Sequence, residues 1–325
     1  MNFDVPPALQ SYLADLDSFI AREIQPLQDS NDNNRFFDHR REHSRTDWDN
    51  QGLPRPQWED LLKECRRRAD AAGFFRFSLP KQYGGQNESS GRGANLWMAV
   101  IREHLAAKGL GLYNDLQNEH SVVGNFPDVV MVQHFGSEAQ KKELIDGRLK
   151  GKEVDWQAFV HENRIRQAAS SLGAAVYCIN QSVEYAMKRK PFGKPLASNQ
   201  AIQFPLVELA TQAEMLRLLI RKTASEMDRM DHVEVEKTIG DKVSMCNYYA
   251  NRLCTQAADQ AIQVHGGWGY SRHCQFEHIW RHHRRYRITE GSEEIQMRKV
   301  AGYLFGFMGP KKVVLGEMTD QLSKL

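Results

Sequence analysis

Residues 202–220, IQFPLVELATQAEMLRLLI, carry the pattern that decides the fold of this chain. Apolar residues recur there at every third or fourth position: Ile202, Leu206, Leu209, Ala213, Leu216 and Ile220. That spacing puts them on one face of an α-helix, and we expect Ser198 to cap its N-terminus. Because so long a helix must bury its apolar face against other helices, the segment predicts a helical bundle.

The same spacing recurs in four other stretches, at residues 9–24, 58–72, 165–183 and 239–257. We expect these helices to end before Pro26, at Gly73, before Pro191 and at Gly266-Gly267, respectively, because proline and glycine terminate helices. No run of alternating apolar and polar residues predicts a sheet. The predicted fold class is all-α.

A last helix is expected to begin near Ser292, because acidic residues in the turn after it complement the helix dipole. Apolar periodicity breaks between residues 147 and 155. We therefore predict an N-terminal helical domain over residues 1–152 and a C-terminal four-helix-type bundle over residues 153–308. Residues 309–325 are predicted to form a flexible tail.

The composition is that of a folded protein. Lys and Arg number 43 against 41 Asp and Glu, a net charge of +2 that gives no overall reason to expect nucleic acid or an anionic membrane as a partner. Residues 35–49 balance four Arg with four acids and predict a solvated loop. The five cysteines form no CxxC pair, so we expect core thiols in a reducing compartment.

The sequences at both ends of the chain give an expectation for its location in the cell. The N-terminus shows no secretory signal pattern, and no apolar stretch is long enough to span a bilayer, so no membrane partner is predicted. The final residues, Ser323, Lys324 and Leu325, match the address read by the peroxisomal import receptor. The sequence therefore predicts a peroxisomal protein, with the cytoplasm as the alternative.

The most basic local stretch contains four histidines and the arginines Arg272, Arg281, Arg284, Arg285 and Arg287. A single short patch on a nearly neutral chain favours a surface or subunit-interface helix over nucleic-acid binding. His278 and His282 lie four residues apart, but no third ligand is suitably spaced, so no metal site is predicted.

Five short segments carry a family resemblance: LPKQYGG at 79–85, HFGSEAQK at 134–141, RKPFGKPL at 189–196, QVHGGWGY at 263–270 and TEGS at 289–292. In this order, they resemble motifs of the acyl-CoA dehydrogenase family. The resemblance implies a flavoprotein that binds FAD and oxidises an acyl-CoA substrate to the trans-2-enoyl thioester in fatty acid β-oxidation. Family members usually form homodimers or homotetramers through the C-terminal bundle.

The resemblance also implies roles for particular residues. Glu290 would be the base that removes the Cα proton while a hydride leaves Cβ for the flavin. Its backbone N–H would bind the thioester oxygen, with Gly291 and Arg164 on the substrate side. The implied FAD-binding residues, some of them reaching FAD from a neighbouring subunit, are Arg189, Phe192, Gln263, Gly266, Gly267 and Ser292. Glu162 is a second candidate base, one place from the position that carries the base in some members.

Two departures from the family pattern stand out. Thr289 and Ser292 replace the usual Tyr and Thr around the base. The family's middle β domain is missing, because residues 149–152 run almost directly into the helix that contains Arg164. This absence motivates an alternative from another class: a non-catalytic helical scaffold or the product of an incomplete gene.

Overall fold

The computed structural model of the protein describes residues 4–38, 40–41, 43–79, 81, 85–86, 95–115, 122–126, 136–139 and 156–307. Helices dominate this part of the chain, and the fold is all-α as predicted. The described strands are two residues long: β1, Thr46–Asp47, pairs antiparallel with β2, Leu53–Pro54. The predicted domain boundary and the C-terminal tail lie outside the described residues, so both stay predictions.

The described N-terminal helices are α1 (Pro7–Phe19), a π-helical turn (Ile20–Ile24), α2 (Gln25–Asp29), α3 (Pro56–Ala71) and α4 (Asn95–Ala106). The predicted end before Pro26 is wrong. The π turn leads directly into α2, whose first turn contains Pro26, where a residue without an N–H is tolerated. The predicted end of α3 is confirmed, since Gly73 follows it with a positive φ of 85°.

The N-terminal core forms where these helices meet. Leu9, Leu16, Trp58, Leu62 and Ile101 are buried together in it. The loop predicted over residues 35–49 is solvated in part, but it contains the end of the 3₁₀ helix Asn33–Phe36 and strand β1.

The C-terminal helices are α5 (Trp156–Lys188), α6 (Gln200–Met227), α7 (His232–Thr238), α8 (Gly240–His265), α9 (Gly267–Tyr270), α10 (Phe276–Tyr286) and α11 (Glu293–Leu304). Helix α8 is central and packs against α5, α6, α10 and α11. The predicted stops at Pro191 and at Gly266-Gly267 are confirmed. Ser198 is not the cap of α6: Asn199 holds that position, and the Ser198 hydroxyl donates to the Pro195 carbonyl at 2.8 Å.

Helix α4 contributes side chains both to the N-terminal core and to the core of the C-terminal bundle: Ile101 lies in the first and Ala99 in the second. A Cβ on Gly173 of α5 would lie 2.3 Å from the Glu103 carbonyl oxygen, so the close crossing of α4 and α5 requires glycine there. The Asp228 carboxylate, just after α6, accepts from the backbone N–H groups of Asn95 and Leu96 at 2.9 and 3.2 Å. This acid caps the N-terminus of α4, where N–H groups lack helical partners.

Helices α5 and α8 run parallel. Near their N-termini the Asn247 amide donates to the Arg164 carbonyl at 3.3 Å. Near their C-termini the rings of Tyr185 and His265 lie 4.3 Å apart. The corners that follow these two helices therefore lie at the same end of the bundle.

Among the described helices, none combines the length and apolar character needed to cross a bilayer.

Four of the five cysteines lie in the core, as predicted: Cys65, Cys178, Cys246 and Cys254 are buried. Cys274 is half-buried.

Candidate active site

The connection between α10 and α11 has an unusual backbone. Glu290 has a φ of 60° and Gly291 a φ of 90°, so two consecutive residues lie in the left-handed region. A residue other than glycine held there costs about 1–3 kcal/mol and persists only where its surroundings enforce it. We call residues 287–292 the Glu290 loop.

Two side chains hold the Glu290 carbonyl oxygen. The Arg164 guanidinium donates to it through Nε at 3.1 Å and through a terminal nitrogen at 2.7 Å. The side-chain amide of Gln296, a buried residue of α11, donates at 2.8 Å. Three donors on one oxygen fix the orientation of the peptide that follows Glu290.

The other polar groups of Glu290 differ in their partners. The Asn163 side-chain amide donates to the Glu290 carboxylate at 2.8 Å. The backbone N–H of Glu290 donates to no acceptor among the described residues. The loop therefore presents a half-exposed carboxylate beside an N–H donor that no described residue satisfies.

Both ends of the Glu290 loop are anchored. Arg287 donates to the Glu293 carboxylate at 2.9 and 2.7 Å, a paired arrangement that closes the loop. On the α10 side, Asn251 of α8 donates to the Tyr286 carbonyl at 3.1 Å. Asn251 is itself fixed by the buried Ser171 hydroxyl at 2.6 Å.

Glu162, the second candidate base, faces a different partner. Its carboxylate accepts a hydrogen bond from Arg166 at 3.1 Å, one turn along α5. Burial raises the pKa of Glu162, while the Arg166 charge opposes that shift and the Asp228 charge adds to it. At the start of α5 it is Asn163, not Glu162, that contacts Glu290.

A charged cluster lies beside Arg164. The buried His161 contacts the Glu236 carboxylate at 2.5 Å, and Lys299 of α11 also pairs with it. Burial alone would raise the pKa of Glu236, but the hydrogen bonds from His161 and Lys299 lower it to about 2. Burial lowers the pKa of His161. The cluster links α5, α7 and α11 next to Arg164, one of the residues that bind the Glu290 carbonyl.

The residues predicted to bind a flavin form a second group. Arg189 and the glycines Gly266 and Gly267 are exposed at the corners after α5 and α8, Gln263 is exposed in the last turn of α8, and Phe192 is 95% exposed. A Cβ added to either glycine would meet nothing within 4 Å, so the backbone there is open to an approaching group. We call these five residues the corner group.

The structure therefore does not bring all the predicted site residues together. Arg164, Gly291, Ser292 and Glu290 lie at one end of α5, and the corner group lies at the other. The 24 residues from Arg164 to Lys188 at 1.5 Å each separate the two ends by about 36 Å. That is too far for both groups of one chain to contact the same reactive ring.

Sequence reasoning missed Asn163 and Gln296. Gln296 could have been noticed as a polar residue one turn after Ser292, although its burial depends on the packing of α11. Most residues of the segments at 79–85 and 134–141 lie outside the described part of the chain. Over the described residues, no group of three or more His, Cys, Asp or Glu side chains is arranged to hold a metal ion.

Comparison with known proteins decides the family. The model of the acyl-CoA dehydrogenase N-terminal domain matches residues 30–152, and that of the acyl-CoA dehydrogenase C-terminal domain matches residues 150–305. The chain belongs to the acyl-CoA dehydrogenase family. The two matches meet at residues 150–152, which leaves no segment for the middle β domain and agrees with its predicted absence.

Individual relatives cover parts of the chain. The chain is 34% identical to subunit CarC of a caffeyl-CoA reductase-Etf complex from Acetobacterium woodii. The 141 aligned residues make up 43% of this chain and 36% of the relative. The chain is also 34% identical to an acyl-CoA dehydrogenase of Bacillus subtilis. Here the 168 aligned residues make up 50% of this chain and 43% of the relative. The chain thus spans about two fifths of the length of these curated relatives.

A solved structure supports the fold. Butyryl-CoA dehydrogenase from Megasphaera elsdenii matches with a TM-score of 0.69 at 17% identity, over 94% of this chain and all of the other. Because the two sequences are only 17% identical, this structural similarity supports the acyl-CoA dehydrogenase fold and carries no statement about activity.

FAD is the cofactor of the acyl-CoA dehydrogenase family, and membership assigns it to this chain. The corner group fits such a cofactor. Arg189 supplies a planar guanidinium suited to a pyrophosphate, and the open backbone at Gly266 and Gly267 permits close approach. The exposed Phe192 ring offers an apolar face to a flavin or adenine.

Proposed function

We propose that the protein is an FAD-dependent oxidoreductase that removes one hydrogen from each of Cα and Cβ of an acyl-CoA thioester, with Glu290 as the base. The observation that carries the proposal is the Glu290 loop itself. It places a carboxylate beside a backbone N–H that has no acceptor in the described part of the chain, in a backbone conformation enforced by three hydrogen bonds to the Glu290 carbonyl.

The chain's own residues have defined tasks in this reaction. The Glu290 carboxylate accepts the proton from Cα, and its backbone N–H donates to the thioester oxygen as negative charge develops there. Arg164 and Gln296 hold the Glu290 carbonyl oxygen and so fix the peptide that follows the proposed base. FAD, when bound, supplies the hydride acceptor for Cβ.

The enzyme hypothesis is tested on the purified full chain reconstituted with FAD. We expect flavin absorbance that co-purifies with the protein and dye reduction that depends on acyl-CoA. Glu290→Gln should lower that activity at least a hundredfold while the helical content is retained. Glu23→Gln, which makes the same change at an exposed residue of the N-terminal helices, should leave it unchanged.

Two results would contradict the proposal. One is a folded chain that stays colourless at saturating FAD; the other is activity that survives in Glu290→Gln. Either would favour the non-catalytic scaffold that the missing β domain suggests.

We also propose that the working form is a homodimer or a larger homo-oligomer. The Glu290 loop and the corner group lie about 36 Å apart in one chain, so two copies are needed to bring them to one cofactor. An exposed apolar stripe on α6 suits a subunit interface: Phe204, Val207, Met215 and Leu218 are 60%, 61%, 58% and 41% exposed.

Light scattering coupled to size exclusion tests the oligomer. Val207→Glu should yield monomers that lose bound flavin, whereas Gln212→Glu, on the same helix, should not. A monomeric wild-type protein with bound flavin would contradict the proposal.

We further propose a peroxisomal location and a role in fatty acid β-oxidation, based on Ser323, Lys324 and Leu325 and on the proposed reaction. A fluorescent protein fused to the N-terminus should enter peroxisomes, and removal of Leu325 should leave it in the cytosol. A cytosolic wild-type fusion would refute the location. Comparing straight-chain acyl-CoA thioesters of different lengths tests the role in β-oxidation.

A further inference from the structure

A cavity of about 580 Å³ lies between helix α10 and the described residues of the segment from Phe36 to Trp48. Arg41 and Arg45 line it from the N-terminal segment, and Arg281 and Arg285 line it from α10. None of its lining residues belongs to the Glu290 loop or to the corner group. The basic stretch noted in the sequence therefore faces a defined cavity that the proposed dehydrogenation does not use.

The described side chains that line the cavity are mainly basic. Among them are four guanidiniums and two imidazoles, those of His278 and His282, against one carboxylate, that of Asp38. Both oxygens of Asp38 accept from Arg40 at 2.8 Å, which largely neutralises that acid.

Asp38 also pairs with Arg41, at 3.8 Å. The other acids that pair with these arginines do not line the cavity: Arg41 pairs with Asp32 at 2.9 Å and Arg281 with Glu277 at 3.3 Å. Arg285 has no carboxylate partner in the part of the chain that the structure describes. Its nearby partners are His282, at 3.4 Å, and the Tyr286 ring.

Arg45 is held rigidly. Its side chain is 14% exposed and pairs with the buried Asp115 at 2.7 Å. Its guanidinium lies 4.2 Å from the centre of the Trp58 ring and also donates to the Phe36 carbonyl at 2.5 Å. A fixed guanidinium loses little conformational entropy when it binds an anion, so it is pre-organised for that task.

We propose that this cavity binds a small molecule that carries two or more phosphate groups. Guanidiniums on two facing walls suit phosphate oxygens, which they bind through paired hydrogen bonds. A volume of about 580 Å³ is within the range of small-molecule sites, about 300–1,000 Å³. A concave cavity of this size fits a compact polyphosphate better than it fits the surface of duplex DNA.

Titration calorimetry of the full chain loaded with FAD, with tripolyphosphate and ADP as the added ligands, tests the proposal. We expect one site per chain, with affinity that falls as NaCl rises from 50 to 200 mM. Arg285→Gln should weaken binding at least tenfold. Arg284→Gln is the matched control, because Arg284 is the preceding residue of α10, is also exposed, carries the same charge and does not line the cavity.

A second readout reports the location of the bound anion. Trp48 lines the cavity and is 63% exposed, so tripolyphosphate should change the tryptophan emission of the wild type and not that of Trp48→Phe. Parallel titrations with ADP and with coenzyme A distinguish a free nucleotide from a phosphorylated cofactor as the source of the phosphates.

Three results would overturn the inference: no binding of tripolyphosphate at millimolar concentration, equal losses in Arg285→Gln and Arg284→Gln, or tighter binding of duplex DNA that increases with duplex length. The proposal stands apart from the dehydrogenase reaction. Glu290→Gln should bind tripolyphosphate as the wild type does, whichever result the activity assay gives.

Discussion

The Asn163 side-chain amide donates a 2.8 Å hydrogen bond to the Glu290 carboxylate, across 127 residues of sequence. Asn163 precedes Arg164, which holds the carbonyl oxygen of the same glutamate. Two adjacent residues of α5 thus fix both the side chain and the backbone of the proposed base.

Asn163→Ala should lower kcat about tenfold and leave KM nearly unchanged, because a hydrogen bond to a charged group contributes about 1.5–3 kcal/mol and water replaces part of it. Asn163→Asp should instead move the acid limb of the pH–rate profile to higher pH, because two carboxylates at this distance do not both ionise readily. Steady-state kinetics from pH 5 to 9 measures both effects. Identical pH profiles for the two variants would show that Asn163 does not act on Glu290.

Gly291→Ala should destabilise the protein by about 1–3 kcal/mol. Its φ is 90°, and an added Cβ would lie 3.2 Å from the Gln296 amide nitrogen and 3.4 Å from an Arg164 nitrogen. Gly193→Ala is the control, since Gly193 has a φ of 79° but nothing within 4 Å of an added Cβ. Urea unfolding should show the larger loss for Gly291→Ala; equal losses would mean that crowding at the Glu290 loop contributes nothing.

The Glu236 cluster should make stability depend on pH. Folding lowers the Glu236 pKa from 4.5 to about 2, so its contribution is complete above pH 4.5 and is lost as pH falls towards 2. His161, whose pKa burial lowers from 6.5, adds a loss in the same direction below that pH. Glu236→Gln should cost about 1–3 kcal/mol at pH 7 and flatten the curve between pH 4.5 and 2. Urea unfolding at several pH values checks this, and a curve as steep as that of the wild type would refute it.

Thiol labelling should separate Cys274 from the other cysteines. Cys65, Cys178, Cys246 and Cys254 are buried, and burial raises the pKa of Cys246 to about 12, so these thiols are protected. At pH 8 we expect an aromatic disulfide reagent to label one thiol in the native protein and all five in denaturant. Cys274→Ser should remove the native reaction. Rapid labelling of several native thiols would contradict the burial of these core positions.

The sequence was sufficient for the helices whose apolar residues recur with a clear period. The C-terminal helices α5, α6 and α8 lie where their spacing places them, because burial of one helical face is a local property of the sequence. Pro26 was misjudged, because a π turn lets the helix continue into a segment that starts with proline. Ser198 was misjudged by one residue, which is within the usual uncertainty of helix ends.

The site was predictable only in part. Short motifs pointed to Glu290, Arg164 and the corner group. They could not show that Arg164 and Gln296 converge on one carbonyl oxygen, because that contact depends on how α5 and α11 pack. Nor could they show that the two groups lie at opposite ends of α5, since this follows from the parallel course of α5 and α8.

The Asp228 cap on α4 has a consequence for the order of synthesis. The carboxylate follows the N–H groups it satisfies by 132 and 133 residues. While the ribosome is still translating α5 and α6, the nascent α4 lacks this acceptor, and α5, its packing partner, is incomplete. Helix α4 of this protein therefore gains its cap only after α6 and Asp228 have emerged, so a chain truncated before residue 228 leaves α4 without this acceptor.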